Sequence, residues 1–247
     1  MTAHRILIVT AVAAEADSVA AGLTFDTSPE VASLPGGLSL RRHTRDGLLV
    51  DVLVGGVGPA AVAAATGTAL AVASAEGPGY DLLVSAGIAG GFAPHAPLGS
   101  LVVSTAIVAA DLGADTPDGY LPVDALGFGR SVHPVPEALT GPFAAALAAA
   151  GLPHTLAPVL TVSTVTGTAA RAAELAGRHP AAAAEAMEGF GVAEAAAGYG
   201  VPVIEVRAVS NAVGPRDRAA WRIGDALEAL RRAFASLSGN FFVLESS

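Results

Sequence analysis

An α/β layered fold with a largely parallel, buried sheet is what this sequence of 247 residues predicts. Two observations carry that expectation. Six short apolar runs recur along the chain with Ala-rich stretches of helical length between several of them, and strands alternating with helices lead to parallel pairing. The runs are also largely apolar, as strands covered on both faces are. With 52% apolar and 14% charged residues, the chain can bury an ample core.

In chain order, residues 6–9 form the first expected strand and 13–23 a helix with Glu15 in its first turn. Residues 48–54 form a second strand. Gly55-Gly56-Val57-Gly58-Pro59 closes it and opens a helix over 59–75, where glycines let backbone N–H groups approach an anion at the helix start. Residues 82–85 are the third strand. Ser85-Ala86-Gly87-Ile88-Ala89-Gly90-Gly91 follows as a glycine-rich loop against which a ligand can lie. Residues 100–106 form a strand, and the Pro/Gly-rich stretch 116–136 is the one long irregular segment, a functional or interfacial loop. A helix over 136–150, a strand over 159–162, helices over 169–179 and 186–197, a strand over 201–209 and a helix near 224–237 complete the pattern. No fixed-period repeat and no Ser/Gly/Pro linker divides the chain, so 1–247 is expected to be a single domain.

Several function classes drop out. No apolar stretch of about 18 residues lacks Gly, Pro or a charge, so no transmembrane helix is expected. The opening residues carry no h-region of a signal peptide. There are no cysteines, which removes disulfides, thiolate catalysis and Cys-ligated metal. The six histidines show no ligand spacing, so no metal site is expected, and no cofactor is implied. A net charge of −9 argues against nucleic acid or an anionic membrane as partner. A cytoplasmic protein that handles a small metabolite is the expectation.

Glu188 and Asn211 stand out. Glu188 enters a segment that otherwise wants burial, and an unpaired buried carboxylate is expensive. Asn211 ends the apolar run 201–209, at the strand end where open α/β sheets place ligand chemistry. Each has a blander alternative. For Glu188 it is a buried acid satisfied by backbone or by Arg207, a less favoured reading than function because buried acids are rare. For Asn211 it is a strand cap or turn residue, and for Glu15 an acid favoured by the helix dipole. Either glycine loop alone is as well explained by a turn, whereas two loops after two strands favour a shared pocket. Neither has the Gly-x-Gly-x-x-Gly spacing of a dinucleotide site. Ser163, Ser210 and the 161–168 run lack a Gly-x-Ser-x-Gly setting, so no hydrolase elbow is indicated.

Taken together, these pieces resemble the purine nucleoside phosphorylase/nucleosidase family, and especially its bacterial methylthioadenosine/S-adenosylhomocysteine nucleosidase branch. Ala11 and Glu15 after the first strand resemble the family's Gly-Ala-Met-Glu-Glu-Glu start. Gly56-Val57-Gly58-Pro59 stands where it has Gly-Ile-Gly-Lys, and Ala86-Gly87-Ile88-Ala89-Gly90-Gly91 where it has Thr-Gly-Ser-Ala-Gly-Gly. Residues 98–104 are similar to Val-Gly-Asp-Ile-Val-Val-Ser, Ala186-Met187-Glu188 to Glu-Met-Glu, and residues 206–211 to Val-Arg-Ala-Ile-Ser-Asp. The resemblance covers most of the chain in order. It implies a three-layer fold with a central mixed, largely parallel sheet flanked by helices.

The resemblance also implies roles. Glu188 would bind the ribose hydroxyls with Met187 packed on the sugar, Glu15 would orient or deprotonate water, and residue 211 would contact purine N7. Ile88, Ala89, Gly90, Gly167, Thr168, Ala186, Arg207 and Trp221 would complete the substrate site. Three departures refine this. Asn211 replaces an aspartate, and an amide NH2 donates to N7 and O6 acceptors, which favours a 6-oxopurine such as hypoxanthine. Ser85 stands near where hexameric phosphorylases place an arginine for phosphate, so water is the expected nucleophile. Ile88 and Ala186 replace a serine and a glutamate, so the sugar and 5′ contacts differ.

The implied reaction is metal-free hydrolysis of a 6-oxopurine nucleoside whose 5′ extension ends in a carboxylate, with Arg216, Arg218 and Arg222 around Trp221 as candidates to hold it. Family members are dimers whose 5′ pocket the partner closes, so a homodimer or dimer-based homotetramer is expected, with 109–129 as the contact. The alternatives are a 6-oxopurine nucleoside phosphorylase, a methylthioadenosine-type nucleosidase, and a nucleoside-binding protein without catalysis.

Overall fold

The computed structural model describes residues 4–25, 28–45 and 47–240, so the opening Met1–Ala3 lies outside it. The first half runs β1 (His4–Thr10), α1 (Ala13–Gly22), β2 (Glu30–Ser33), β3 (Ser39–Arg45), β4 (Leu48–Val54), α2 (Pro59–Glu76), β5 (Leu82–Gly91) and β6 (Leu101–Ala109). The second half runs β7 (Gly113–Thr116), β8 (Gly119–Pro122), β9 (Val132–Pro134), α3 (Glu137–Ala149), β10 (His154–Thr161), α4 (Ala169–Arg178), β11 (Ala184–Ala186), α5 (Gly189–Gly198), β12 (Val203–Ala212) and α6 (Ile223–Asn240).

The main sheet has the order β11-β10-β6-β12-β5-β1-β4-β3-β2, with β9 on β6. It is mixed, as expected. The strands β4-β1-β5-β12 are parallel, as are β6-β10-β11, whereas β6 meets β12 antiparallel. The short β11 also returns to pair antiparallel with β5, which closes β5-β12-β6-β10-β11 into a ring. Apolar residues on β1 explain the layers: Ile6 and Ile8 face α1, α3 and α6, while Leu7 and Val9 face α2 and α5. Successive strand side chains point to opposite faces, and here both faces are buried. That is why β1 reads as continuous hydrophobicity.

Three sequence expectations are corrected. Residues 85–91 are not a loop, because β5 continues through the glycines to Gly91, flanked on both sides by β11 and β12. Residues 186–188 are not helical: β11 ends at Ala186 and α5 begins at Gly189. The stretch 116–136 is not wholly irregular, since it holds β8, paired with β7, and β9. Strands of three or four residues are too short to show a period in sequence.

The edge strands β2 and β3 were also absent from the sequence reading. Their polar residues belong to an exposed edge pinned by one buried acid. Asp51 on β4 accepts from Tyr80 Oη (2.7 Å), Arg42 Nε (2.9 Å) and Arg5 Nη2 (3.2 Å). Burial first, then the charge of Asp51, pushes the Tyr80 phenol well above its ordinary range, so Tyr80 stays a donor.

Ring closure depends on Gly91. A Cβ there would overlap the Ala96 carbonyl oxygen and stand 2.7 Å from Val209 Cγ1. Gly91→Ala is therefore expected to destabilise the fold by about 1–3 kcal/mol, the usual range for overpacking a close contact. A urea unfolding midpoint equal to that of the parent protein would refute this account.

Candidate functional site

The ring brings the ends of β1, β5, β11 and β12 to one rim, where an open cavity of about 240 Å³ lies between Glu15, Glu188 and Asn211. Glu15 is the third residue of α1, and its side chain turns back over the helix start. Oε2 accepts the Ala11 and Val12 N–H groups (3.0 and 3.2 Å), and Oε1 accepts the Ile88 N–H (2.8 Å). Three backbone donors and the helix dipole hold this carboxylate at the cavity wall.

Glu188 sits at the N-cap of α5. Its Oε1 accepts the Gly58 N–H at 3.2 Å, and its Oε2 accepts the Met187 N–H at 3.3 Å. The glycine turn before α2 does present an N–H to an anion, and that anion is the protein's own glutamate.

Behind these acids lies Arg207, whose side chain is 1% exposed. Its Nε donates to Glu205 Oε1 (2.8 Å) and its Nη2 to Ser85 Oγ (3.2 Å). Nη1 stands 3.2 Å from Glu188 Oε2 but lacks the alignment of a hydrogen bond, so the contact is an ion pair only. Glu15 is close as well: a Cβ built on Gly87 would be 2.5 Å from Glu15 Oε1 and 2.6 Å from Arg207 Nη1. Only the missing side chain at Gly87 lets these two groups approach. Burial opposes charge on Arg207, but the fields of Glu205, Glu188 and Glu15 outweigh it and hold the guanidinium above its ordinary value. One cation thus faces three carboxylates. A site with that balance stabilises positive charge developing on a bound molecule.

Asn211 lies near the end of β12. Its Nδ2 donates to the Ala212 carbonyl (2.9 Å) and its Oδ1 accepts from Ser210 Oγ (2.9 Å). A carbonyl only accepts, which fixes the amide orientation and leaves the second Nδ2 hydrogen free. Asn211 and Glu185 are both register partners of Gly90, on β12 and β11 respectively. In-register neighbours share a sheet face, so the two side chains lie on either side of Gly90, whose missing Cβ makes room for Val213 Cγ2 and the Asn211 amide. Glu185 is buried and accepts the Thr166 N–H (2.9 Å) and hydroxyl. Burial pushes its carboxyl up, against the pull of those two bonds.

Of the expected site residues, Glu15, Glu188 and Asn211 meet at the cavity together with Ile88, Ala89 and Gly90. Ala186, Met187 and Trp221 also line it. Arg207 stands behind the wall, and neither Gly167 nor Thr168 lines the cavity. Thr168 caps α4 through the Arg171 N–H, and Gly167 packs on Arg216. Arg216 and Arg218 stack near Trp221, 5.6 and 5.8 Å from its ring centre, while the Arg222 N–H donates to the Ser210 carbonyl (2.7 Å). In the segment 109–129, β7 and β8 form a hairpin and Phe128 is 81% exposed. Sequence reasoning missed Glu185, Thr166 and Glu205. The signal for Glu205 was present: Glu205 and Arg207, two apart within an apolar run, must share one strand face. Among the described residues no helix is long and apolar enough to cross a membrane.

A family model described as the phosphorylase superfamily matches residues 5–241. A futalosine hydrolase of Streptomyces coelicolor is 59% identical over 242 residues, spanning 98% of this chain and 97% of that protein. Another from Acidothermus cellulolyticus is 49% identical over 235 residues, spanning 94% and 89%. Among solved structures, a futalosine hydrolase of Helicobacter pylori superposes with a TM-score of 0.80 at 18% identity, covering 95% of this chain and 97% of that one. A methylthioadenosine/S-adenosylhomocysteine nucleosidase from Colwellia psychrerythraea, in complex with adenine, gives 0.79 at 20% identity, covering 96% and 95%. At those identities the structures establish the fold.

The Arg207 cluster makes a pH-dependent prediction. Arg207→Met leaves buried carboxylates uncompensated and is expected to destabilise the protein by about 3–5 kcal/mol. Burial already raises the Glu205 carboxyl against the pull of Arg207, and without Arg207 its folded-state value rises further above the unfolded one. The stability of a group so raised is present at low pH and lost as pH rises through the folded value. The variant should therefore be closer to the parent at about pH 5.5 than at about pH 8 in urea unfolding. A deficit that grows as pH falls would contradict this.

Proposed function

The chain belongs to the phosphorylase superfamily, and from that premise we propose that it hydrolyses the N-glycosidic bond of futalosine and releases hypoxanthine. The observation that carries this reading is the meeting of Glu15, Glu188 and Asn211 at one cavity, in a chain so similar to futalosine hydrolases over nearly its whole length.

The C1′–N9 bond breaks with its electron pair leaving on the base, and the sugar takes on positive charge. Glu188 holds the ribose hydroxyls, and its charge stabilises that cation. The oxygen of water bonds to C1′ as Glu15 takes its proton. The free Nδ2 hydrogen of Asn211 donates to N7 or O6 of the departing base, which is then protonated from solvent. Glu185, across Gly90, accepts from N1–H, a donor that a 6-oxopurine has and a 6-aminopurine lacks. Ile88, Ala89, Ala186 and Met187 enclose the sugar and base, and Arg207 orients the acids from behind. Neither metal nor cofactor takes part.

Water is preferred to phosphate because Ser85 is buried against Arg207, whose charge is already shared among three acids. Arg216 and Arg218 beside Trp221 supply cations for the carboxylate at the 5′ end. The product serves menaquinone biosynthesis in the cytoplasm. The chain acts as one domain within a homodimer or dimer-based homotetramer, with the segment 109–129 at the contact; the exposed Phe128 supports that placement.

Purified protein in phosphate-free buffer should release hypoxanthine rapidly from futalosine and slowly from inosine, since the 5′ extension supplies binding energy used in the transition state. Release that requires added phosphate would make the enzyme a phosphorylase. Asn211→Asp should shift kcat/KM toward the 6-amino analogue of the substrate by roughly 10-fold or more, because a protonated acid donates to N7 and also accepts from the amino group. An unchanged ratio would remove Asn211 from base selection.

A further inference from the structure

Glu205 has no part in the chemistry above. It lies in the middle of β12, is fully buried, and its Oε2 has no hydrogen-bond partner among the described residues. A buried, half-satisfied carboxylate is costly and needs a reason. The Glu205 N–H is tied to Ser104 Oγ on β6 (2.9 Å), and a Cβ on Gly189 would overlap its carboxylate. Its side chain therefore abuts the first turn of α5, where the helix dipole favours an anion. The charged groups brought to it are Arg207 from its own strand and Glu188 from the start of α5. Glu15, on α1, acts on it through Arg207, and Ser85 on β5 contributes a hydroxyl to the same guanidinium.

Arg207 divides its bonds unequally. The short, aligned Nε bond goes to Glu205 (2.8 Å), whereas Glu188 receives only the unaligned Nη1 contact at 3.2 Å. A guanidinium given wholly to Glu188 would neutralise the acid that faces the sugar. We propose that Glu205 is a positioning residue: by taking the aligned Nε bond it holds Arg207 in place and absorbs its charge, so that the negative charge of Glu188 and Glu15 faces the cavity without being compensated by the guanidinium. Three carboxylates against one guanidinium leave two negative charges beside the substrate. Glu205 touches no substrate, because Arg207 and the α5 start lie between it and the cavity.

This inference rests on the hydrolytic reading, so it is tested with two readouts, one independent of turnover. Glu205→Gln keeps an oxygen acceptor for Arg207 Nε and removes the charge. The acid limb of the kcat/KM profile should then move to lower pH by roughly one unit, because Arg207 pulls harder on the remaining acids. The plateau kcat should fall by roughly 10-fold as Glu15 becomes a weaker base. By calorimetry, a protonated pyrrolidine mimic of the ribosyl ring should lose roughly 10-fold more affinity than its neutral tetrahydrofuran counterpart. That binding arm stands even if futalosine is not the substrate. Glu205→Asp, which keeps the charge, should retain the parent limb and the parent preference for the cation. Coincident profiles and unchanged cation preference in Glu205→Gln would overturn the proposal, as would an Asp variant shifted as far as the Gln variant.

Discussion

A guanidinium taken fully out of water is the constraint around which this site is built. Arg207 cannot be buried without anions and acceptors around it, and four parts of the chain supply them. Glu205 comes from the same strand, Glu188 from the start of α5, Glu15 from α1, and the Ser85 hydroxyl from β5. Each partner fixes the element that carries it. The positions of α1 and α5 relative to β5 and β12 are therefore set partly by charge, and the apolar layers fill in around them. Gly87 completes the arrangement by leaving room for Glu15 and Arg207 to approach.

The sheet topology turns that electrostatic knot into a cavity. An open sheet would leave β11 distant from β5. Its return to Gly90 and Gly91 closes the ring and sets Glu185 opposite Asn211 across a residue with no side chain. Ala89 and Gly90 line the cavity, which suits a flat ring lying against main chain, with an amide donor at one edge and a carboxylate acceptor at the other. The acids at the cavity floor suit positive charge at the sugar. In the proposed reaction, base recognition and cation stabilisation use different walls of one pocket, and the ring sets where those walls stand.

Burial and function pull against each other here. A core built for stability alone would replace Glu205 and Arg207 with apolar residues of similar volume, a change often neutral or stabilising. An unpartnered carboxylate oxygen inside β12 is instead retained, and sites that keep such groups tend to be those that work on charge. The contrast with Asp51 is instructive. That acid is also fully buried, but four donors from Tyr80, Arg42 and Arg5 satisfy it, and it only pins the edge of the sheet.

Much of this was legible in the sequence, for definite reasons. Strands such as β1 and β4, and the helices α1, α2 and α4, showed in sequence because short apolar runs and Ala-rich stretches of helical length are local properties. Glu15, Glu188 and Asn211 stood out because a polar group bordering an apolar element is conspicuous without any structure. The chain alone could not show that the run 85–91 is strand, because glycine suppresses local strand propensity and only the flanking β11 and β12 hold it extended. Nor could it show that 186–188 leaves the helix, or which acid Arg207 would choose. Thr168 and Gly167, near the site in sequence, go to capping α4 and packing on Arg216, while Glu185 and Thr166 take the wall. Local chemistry decided which residues could carry function. Which of them face one another was decided by ring closure and by the demand of one buried cation, both set by residues far apart in the chain.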